Sequence, residues 1–154
     1  MFTTKSSGTQ YSLRAANAAA CVAEYSPDHF FEFNALMYID QPEEGSLGLD
    51  DGEIAERAEG AGVINLKSIE ECIRDQRFKS WVQDATARAL GGPIDGTDVD
   101  AVVATPTIIV NGAQFRYTTA FDPNEFAQFV LQVAGQSFTD NSAPTPTPTP
   151  TPAS

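Results

Sequence analysis

The sequence predicts an α/β chain, α+β over most of its length, in which a long helical stretch precedes a short hairpin and a closing helix. Three observations predict it. Apolar residues recur at three- and four-residue steps from Gln10 to Leu90, the period of helices packed on one face. That period stops at Gly91-Gly92-Pro93, a helix terminator. A β-branched run, Thr107 to Val110, then closes on Asn111-Gly112, the pair that tolerates the positive φ of a type I′ hairpin turn.

The elements follow in order. Tyr11, Ala15, Ala18, Val22 and Tyr25 mark a first helix over residues 10–25, with Ser7 and Gln10 as its expected capping box. Ser26-Pro27 restarts the chain as an N-cap and a first-turn proline. Phe30, Phe33 and Met37 then share a face that Phe31 and Tyr38 widen. Residues 41–48 read as a loop. Asp50 with Glu53 caps a short helix that Gly60 and Gly62 stop. Leu66, Ile69 and Ile73 define the next helix, and Phe78, Trp81, Val82 and Ala85 continue it out of phase, which predicts a kink or two abutting helices. Trp81 and the phenylalanines are expected in the core, and His29 on a solvated surface. Residues 95–98 are a turn, and 99–103 are ambiguous. Pro106 lacks a ladder donor and so suits the start of a strand, 107–110, whose expected partner is 114–118. Asp122-Pro123-Asn124-Glu125 opens a last helix along Phe126, Phe129, Val130 and Val133, expected to end at Gly135. From Ser142 the chain is Pro-Thr repeat, a composition that favours extended polyproline II over a packed core and reads as a spacer or stalk.

At 154 residues, 42% hydrophobic with ten Phe, the chain can bury one ordinary core. A formal charge of −12 leaves no basic stripe for nucleic acid. No run of 18 apolar residues spans a membrane, and Met1 to Lys5 holds no apolar signal-peptide core. One His and two distant Cys make no closed metal site, and no cofactor motif appears. Cys21 and Cys72 lie one step before Val22 and Ile73, so both can reach an interhelical core. Their spacing fits no zinc or redox motif and leaves two buried thiols or a structural disulfide.

Several stretches resemble the DsbA-like branch of the thioredoxin superfamily, in particular its actinobacterial extracytoplasmic members. They are residues 7–19 (Ser-Gly-Thr-Gln-Tyr-Ser-Leu-Arg-Ala-Ala-Asn-Ala-Ala), residues 41–45 (Gln-Pro-Glu-Glu-Gly), and Thr105-Pro106-Thr107 with Val110-Asn111-Gly112. The resemblance covers roughly residues 6–135. It implies an incomplete thioredoxin-like fold: residues 1–8 as the remnant of a preceding strand or linker, 9–93 as a helical insertion, 94–136 as the closing ββα half, and 137–154 as a disordered tail. It implies a disulfide between Cys21 and Cys72. It also implies that Thr105 and Pro106 form the substrate-side cis-proline loop, where backbone before the proline meets extended polypeptide. In the family that loop faces a Cys-x-x-Cys on the helix after the first strand, and this sequence has no Cys-x-x-Cys.

The expected function is therefore that of a DsbA-like thiol:disulfide oxidoreductase acting on exported polypeptides, present as an N-terminally truncated and inactive form. No catalytic residue is present, and whether the chain is itself an enzyme is left open. An extracytoplasmic location follows from the resemblance. With the first βαβ half missing, Thr107, Ile108, Ile109 and Val110 would form an open edge suited to strand addition. The alternatives are a non-catalytic peptide- or partner-binding module, and a redox switch at Cys21 and Cys72, whose surroundings lack the cations that favour a thiolate.

Overall fold

The computed structural model describes residues 8–116 and 122–142, with side chains in the last segment described through Gln136. Ser7, residues 117–121 and the Pro-Thr tail lie outside the described residues. The chain divides into two compact units, Met1–Gly91 and Gly92–Ser154.

The first unit is helical: α1 (Tyr11–Tyr25), a single 3-10 turn (Pro27–His29), α2 (Phe30–Ile39), α3 (Asp51–Gly60), α4 (Leu66–Arg74) and α5 (Lys79–Gly91). The phase shift after Ile73 is resolved as two abutting helices, separated at Gln76, which takes a positive φ of 48°. α1 is the hub and packs against α2, α3, α4 and α5. Ala15, Ala18, Cys21 and Val22 meet Phe33, Ile54, Ala58, Ile69 and Ile73 in one core. The alanines let neighbouring helices approach closely, and full burial of each Val, Ile or Phe contributes about 1.5–3 kcal/mol.

Cys21 and Cys72 are joined as a disulfide with Cα atoms 5.9 Å apart, 0% and 3% exposed, so the reading as two free buried thiols is overturned. Polar ties complement it. Arg14 donates to the carbonyls of Thr9 (3.0 Å) and Leu49 (2.7 Å) and pairs with Asp51 at 2.8 Å. Buried Asn17 accepts the Phe78 N–H at 2.8 Å, the donor just before α5. Its amide nitrogen has no hydrogen-bond partner among the described residues. Gly48, at φ +68°, lies so close to the Tyr11 ring that a Cβ there would stand 2.2 Å from it.

The capping box at Asp50 and Glu53 forms as expected, with bonds of 2.9 and 2.8 Å. Other local expectations are corrected. The N-cap of α1 is Gln10, which adopts φ 54° and makes no side-chain cap bond. Ser26 does not cap with its side chain: its hydroxyl accepts the Ile64 N–H at 3.2 Å and meets His29 Nδ1 at 3.0 Å. His29 is thereby half-buried rather than fully solvated. Trp81 is 59% exposed and Phe31 83% exposed, against the expectation of core positions. Phe31 lies about 200° around its helix from Phe33, which is fully buried, and Trp81 adjoins Val82, which takes the inward direction on α5. Tyr38 is exposed for the same reason, about 140° from Phe33.

The second unit holds a two-stranded antiparallel sheet, β1 (Ile108–Val110) and β2 (Ala113–Phe115), followed by α6 (Pro123–Ser142). β2 starts one residue earlier than expected because the two-residue turn leads straight into it, and Thr118 lies outside the described residues. Asp122 Oδ1 accepts the Asn124 N–H at 2.8 Å, the N-cap read from the sequence. α6 runs past Gly135, whose φ is not positive and so supplies no left-handed stop.

The described residues are thus mostly helical with one small two-stranded sheet, as the α+β reading expects.

The bridge closes a 51-residue separation, so replacing both cysteines by alanine is expected to cost about 4 kcal/mol in the chain-entropy account. Urea unfolding of the oxidised chain and the double variant measures it, and an equal midpoint would refute the assignment of the tie as the main constraint. Burial pushes the Tyr11 phenol above the ordinary tyrosine range, although Arg57 and Arg14 pull it down. The unfolded chain therefore loses that proton first as pH rises. Tyr11's contribution is full below the ordinary tyrosine value and is lost as pH climbs through the raised one. Thermal melts across this alkaline range should fall less steeply for Tyr11→Phe than for the parent.

Candidate functional site

The site the sequence singles out lies in the second unit, where the chain turns from loop to strand. The Thr105–Pro106 peptide bond is cis, and Ala104, Thr105 and Pro106 are exposed. Thr107 Oγ1 donates to the Ala104 carbonyl at 2.7 Å and closes a short local ring around the proline. β1 begins at the next residue. The backbone of Thr105 is therefore presented immediately before a strand, on a loop held by its own side chain.

The hairpin behind this loop is tightly specified. Ile108 pairs with Phe115, Ile109 with Gln114 and Val110 with Ala113. Asn111 and Gly112 have φ of 48° and 84°, as a type I′ turn requires. Gly112 is held by a second constraint, since a Cβ there would lie 2.6 Å from the Gly96 carbonyl oxygen. Period-two alternation puts Ile108, Val110, Ala113 and Phe115 on one face. Phe115 is buried against Phe126 and Phe129 of α6, with ring centroids 5.3 Å from each. Val133 extends this small core.

Asp98 organises the other side of the hairpin. Its N–H donates to the Gly112 carbonyl at 2.8 Å, and its carboxylate accepts the Gln114 N–H at 2.8 Å. The 94–99 turn that carries Asp98 is tied by Ile94 N–H to Val99 O and by Thr97 Oγ1 to Ile94 O. One loop residue thus occupies the outer edge of β2. Sequence reading placed Asp98 in a turn and missed this role, because it depends on a contact sixteen residues away.

Cys21 and Cys72 belong to the first unit and are spent in their own bridge. An apolar slot of about 220 Å³ between α1 and α2, lined by Tyr11, Ala15, Phe33 and Met37 among others, holds no nucleophile. Among the described residues no cluster of His, Cys, Asp and Glu could hold a metal ion. No described helix is long and apolar enough to cross a membrane.

The second unit thus presents a cis Thr-Pro just before β1, a hairpin with a two-residue turn, and a helix packed on it. A thioredoxin family model matches residues 2–131, and the chain belongs to that family. Among solved structures it is similar to reduced DsbA from Mycobacterium tuberculosis (31% identity, TM-score 0.62), covering 84% of this chain and 59% of that one. The reduced disulfide bond oxidoreductase DsbG from the same organism shares 30% identity and a TM-score of 0.61, with 89% and 63% covered. Oxidised DsbA of M. tuberculosis shares 28% identity and a TM-score of 0.62, with 89% and 66% covered. The chain therefore spans about three-fifths to two-thirds of these structures. Curated protein sequences show no match.

Removing the Asp98 carboxylate leaves the Gln114 N–H open to water. Asp98→Ala is expected to cost about 1 kcal/mol, the net value of one such bond at an accessible site. The sharper readout is hydrogen exchange, where the Gln114 amide should lose protection while the Ala113 amide, which bonds across to β1, keeps its own.

Proposed function

We propose that this chain is the substrate-side portion of a DsbA-like thiol:disulfide oxidoreductase that acts on extended polypeptides outside the cytoplasm. The observation that carries the reading is the thioredoxin family match over residues 2–131, with Thr105-Pro106-Thr107 leading directly into β1. Thr105 and Pro106 form the surface against which an extended substrate lies. The β1 edge at Thr107, Ile108, Ile109 and Val110 continues that surface by strand addition. The buried Cys21–Cys72 bridge supports an oxidising compartment.

Disulfide exchange proceeds by attack of a thiolate on a substrate sulfur, giving a mixed disulfide that a second thiol resolves. The only two cysteines of this sequence are joined to each other and sealed in the helical core. The chain by itself is therefore inactive in exchange, and the reaction belongs to a polypeptide that also supplies a Cys-x-x-Cys. The bridge is a structural element rather than a redox switch, and the reaction takes no cofactor. A second reading, a non-catalytic module that holds a peptide or partner, is favoured by the exposed loop and the unpaired β1 edge among the described residues.

Incubation of the purified chain with a disulfide-bonded model peptide in a glutathione buffer tests this. The expected exchange rate equals the uncatalysed one. A polypeptide joining this chain to an upstream segment with a Cys-x-x-Cys is expected to exceed it. Exchange above background by the chain alone would overturn the proposal, and no gain from the longer polypeptide would favour the binding module.

A further inference from the structure

The Cys21–Cys72 bridge is closed to solvent by its own unit. Cys21 is 0% exposed and Cys72 3%. Both belong to one buried cluster with Ala18 and Val22 of α1, Ile69 and Ile73 of α4, and Ile54 and Ala58 of α3. Neither the slot between α1 and α2 nor the groove between α3 and α4 is lined by either cysteine. All these elements lie in one compact unit, so any sequence that packs on it from elsewhere can only add cover.

Burial of the sulfurs constrains when the bridge can be made. A disulfide forms or breaks when a thiolate attacks a sulfur, so the two sulfurs must touch. In the folded helical unit no donor or reductant, large or small, has that access. Exchange is therefore confined to the chain before α1 and α4 close on each other, when both thiols meet water. Local charge then separates the two thiols. Cys72 directly follows Glu70 and Glu71, with Arg74 two residues on, whereas the nearest charge to Cys21 is Glu24, three residues on. A unit charge about 6–7 Å away in water changes a thiolate's population about threefold. The acidic pair disfavours the thiolate at Cys72, which leaves Cys21 as the readier nucleophile.

We propose that this chain is itself a substrate of disulfide exchange: an external disulfide donor oxidises Cys21 and Cys72 during folding, entering at Cys21, and closure of the helical core then seals the product. The Cys21 thiolate attacks one donor sulfur, a mixed disulfide forms, and the other donor sulfur leaves as a thiolate. The Cys72 thiolate then attacks Cys21 Sγ and releases the remaining donor sulfur. Two electrons and two protons pass from the cysteine pair to the donor, whose disulfide is reduced to two thiols.

The full chain tests it in two steps. The oxidised chain is incubated with dithiothreitol in native buffer and in urea, alkylated, and followed by mass spectrometry. Reduction in native buffer should run at least about a hundredfold slower, because core helices open rarely. Ile69→Ala, which thins the cover, should raise the native rate at least about tenfold and leave the rate in urea unchanged. Equal rates in native buffer and in urea would overturn the proposal, as would a native rate that Ile69→Ala does not move. For the entry step, reduced Cys72→Ser and Cys21→Ser are exposed in urea at neutral pH to hydroxyethyl disulfide, an uncharged donor. At about 0.01 M salt Cys21 should form its mixed disulfide about threefold faster than Cys72, and at about 1 M salt the two rates should converge. Equal low-salt rates, or a faster Cys72, would overturn entry at Cys21.

Discussion

The covalent tie between α1 and α4 is the constraint on which the helical unit depends. Cys21 sits mid-face on the one helix that touches all the other long helices of the unit, and Cys72 holds α4 against it. With that crossing fixed, Ile69 and Ile73 of α4 share one core with Ala18 and Val22 of α1 and with Ile54 and Ala58 of α3. Arg14 fastens the long loop before α3 by the Leu49 carbonyl and the Asp51 carboxylate, and Asn17 fastens the start of α5. Most of the long-range side-chain hydrogen bonds among the described residues of this unit involve α1, so the geometry of one helix propagates to the rest.

The second unit is organised on a different principle. Its apolar content is small: Phe115, Phe126, Phe129 and Val133, with Val99 buried beside the turn. Register here comes from turn chemistry rather than from bulk. Asn111 and Gly112 set the pairing, the near approach of Gly96 to Gly112 leaves no room for a side chain, and Asp98 bonds both the turn and the strand after it. The exposed Thr105–Pro106 loop is thereby carried on a short but well-defined support.

Much of this was legible in the sequence where the signal was local. The capping box at Asp50, the Asn-Gly turn and the break between α4 and α5 each rest on residues a few positions apart, and each formed as expected. The Thr-Pro-Thr stretch and the helical segment before it pointed to the family that the comparisons then established. What the sequence did not show depends on contacts over long separations. Trp81 is apolar and in period, yet the side of α5 that packs is set by Val82. Ser26 has the chemistry of an N-cap, but the Ile64 N–H, thirty-eight residues on, claims its hydroxyl. The role of Asp98 has no sequence signature, because any turn aspartate looks the same until the hairpin is folded beside it.

The asymmetry of the hairpin has a consequence for stoichiometry. Filaments grow when each added unit presents a fresh edge for the next, which takes two open sides. Here the Asp98 carboxylate takes the outward Gln114 N–H, so the β2 side offers a further strand one donor fewer. Growth by stacking strands onto β2 is thereby discouraged, and the residue that discourages it lies outside the strands altogether.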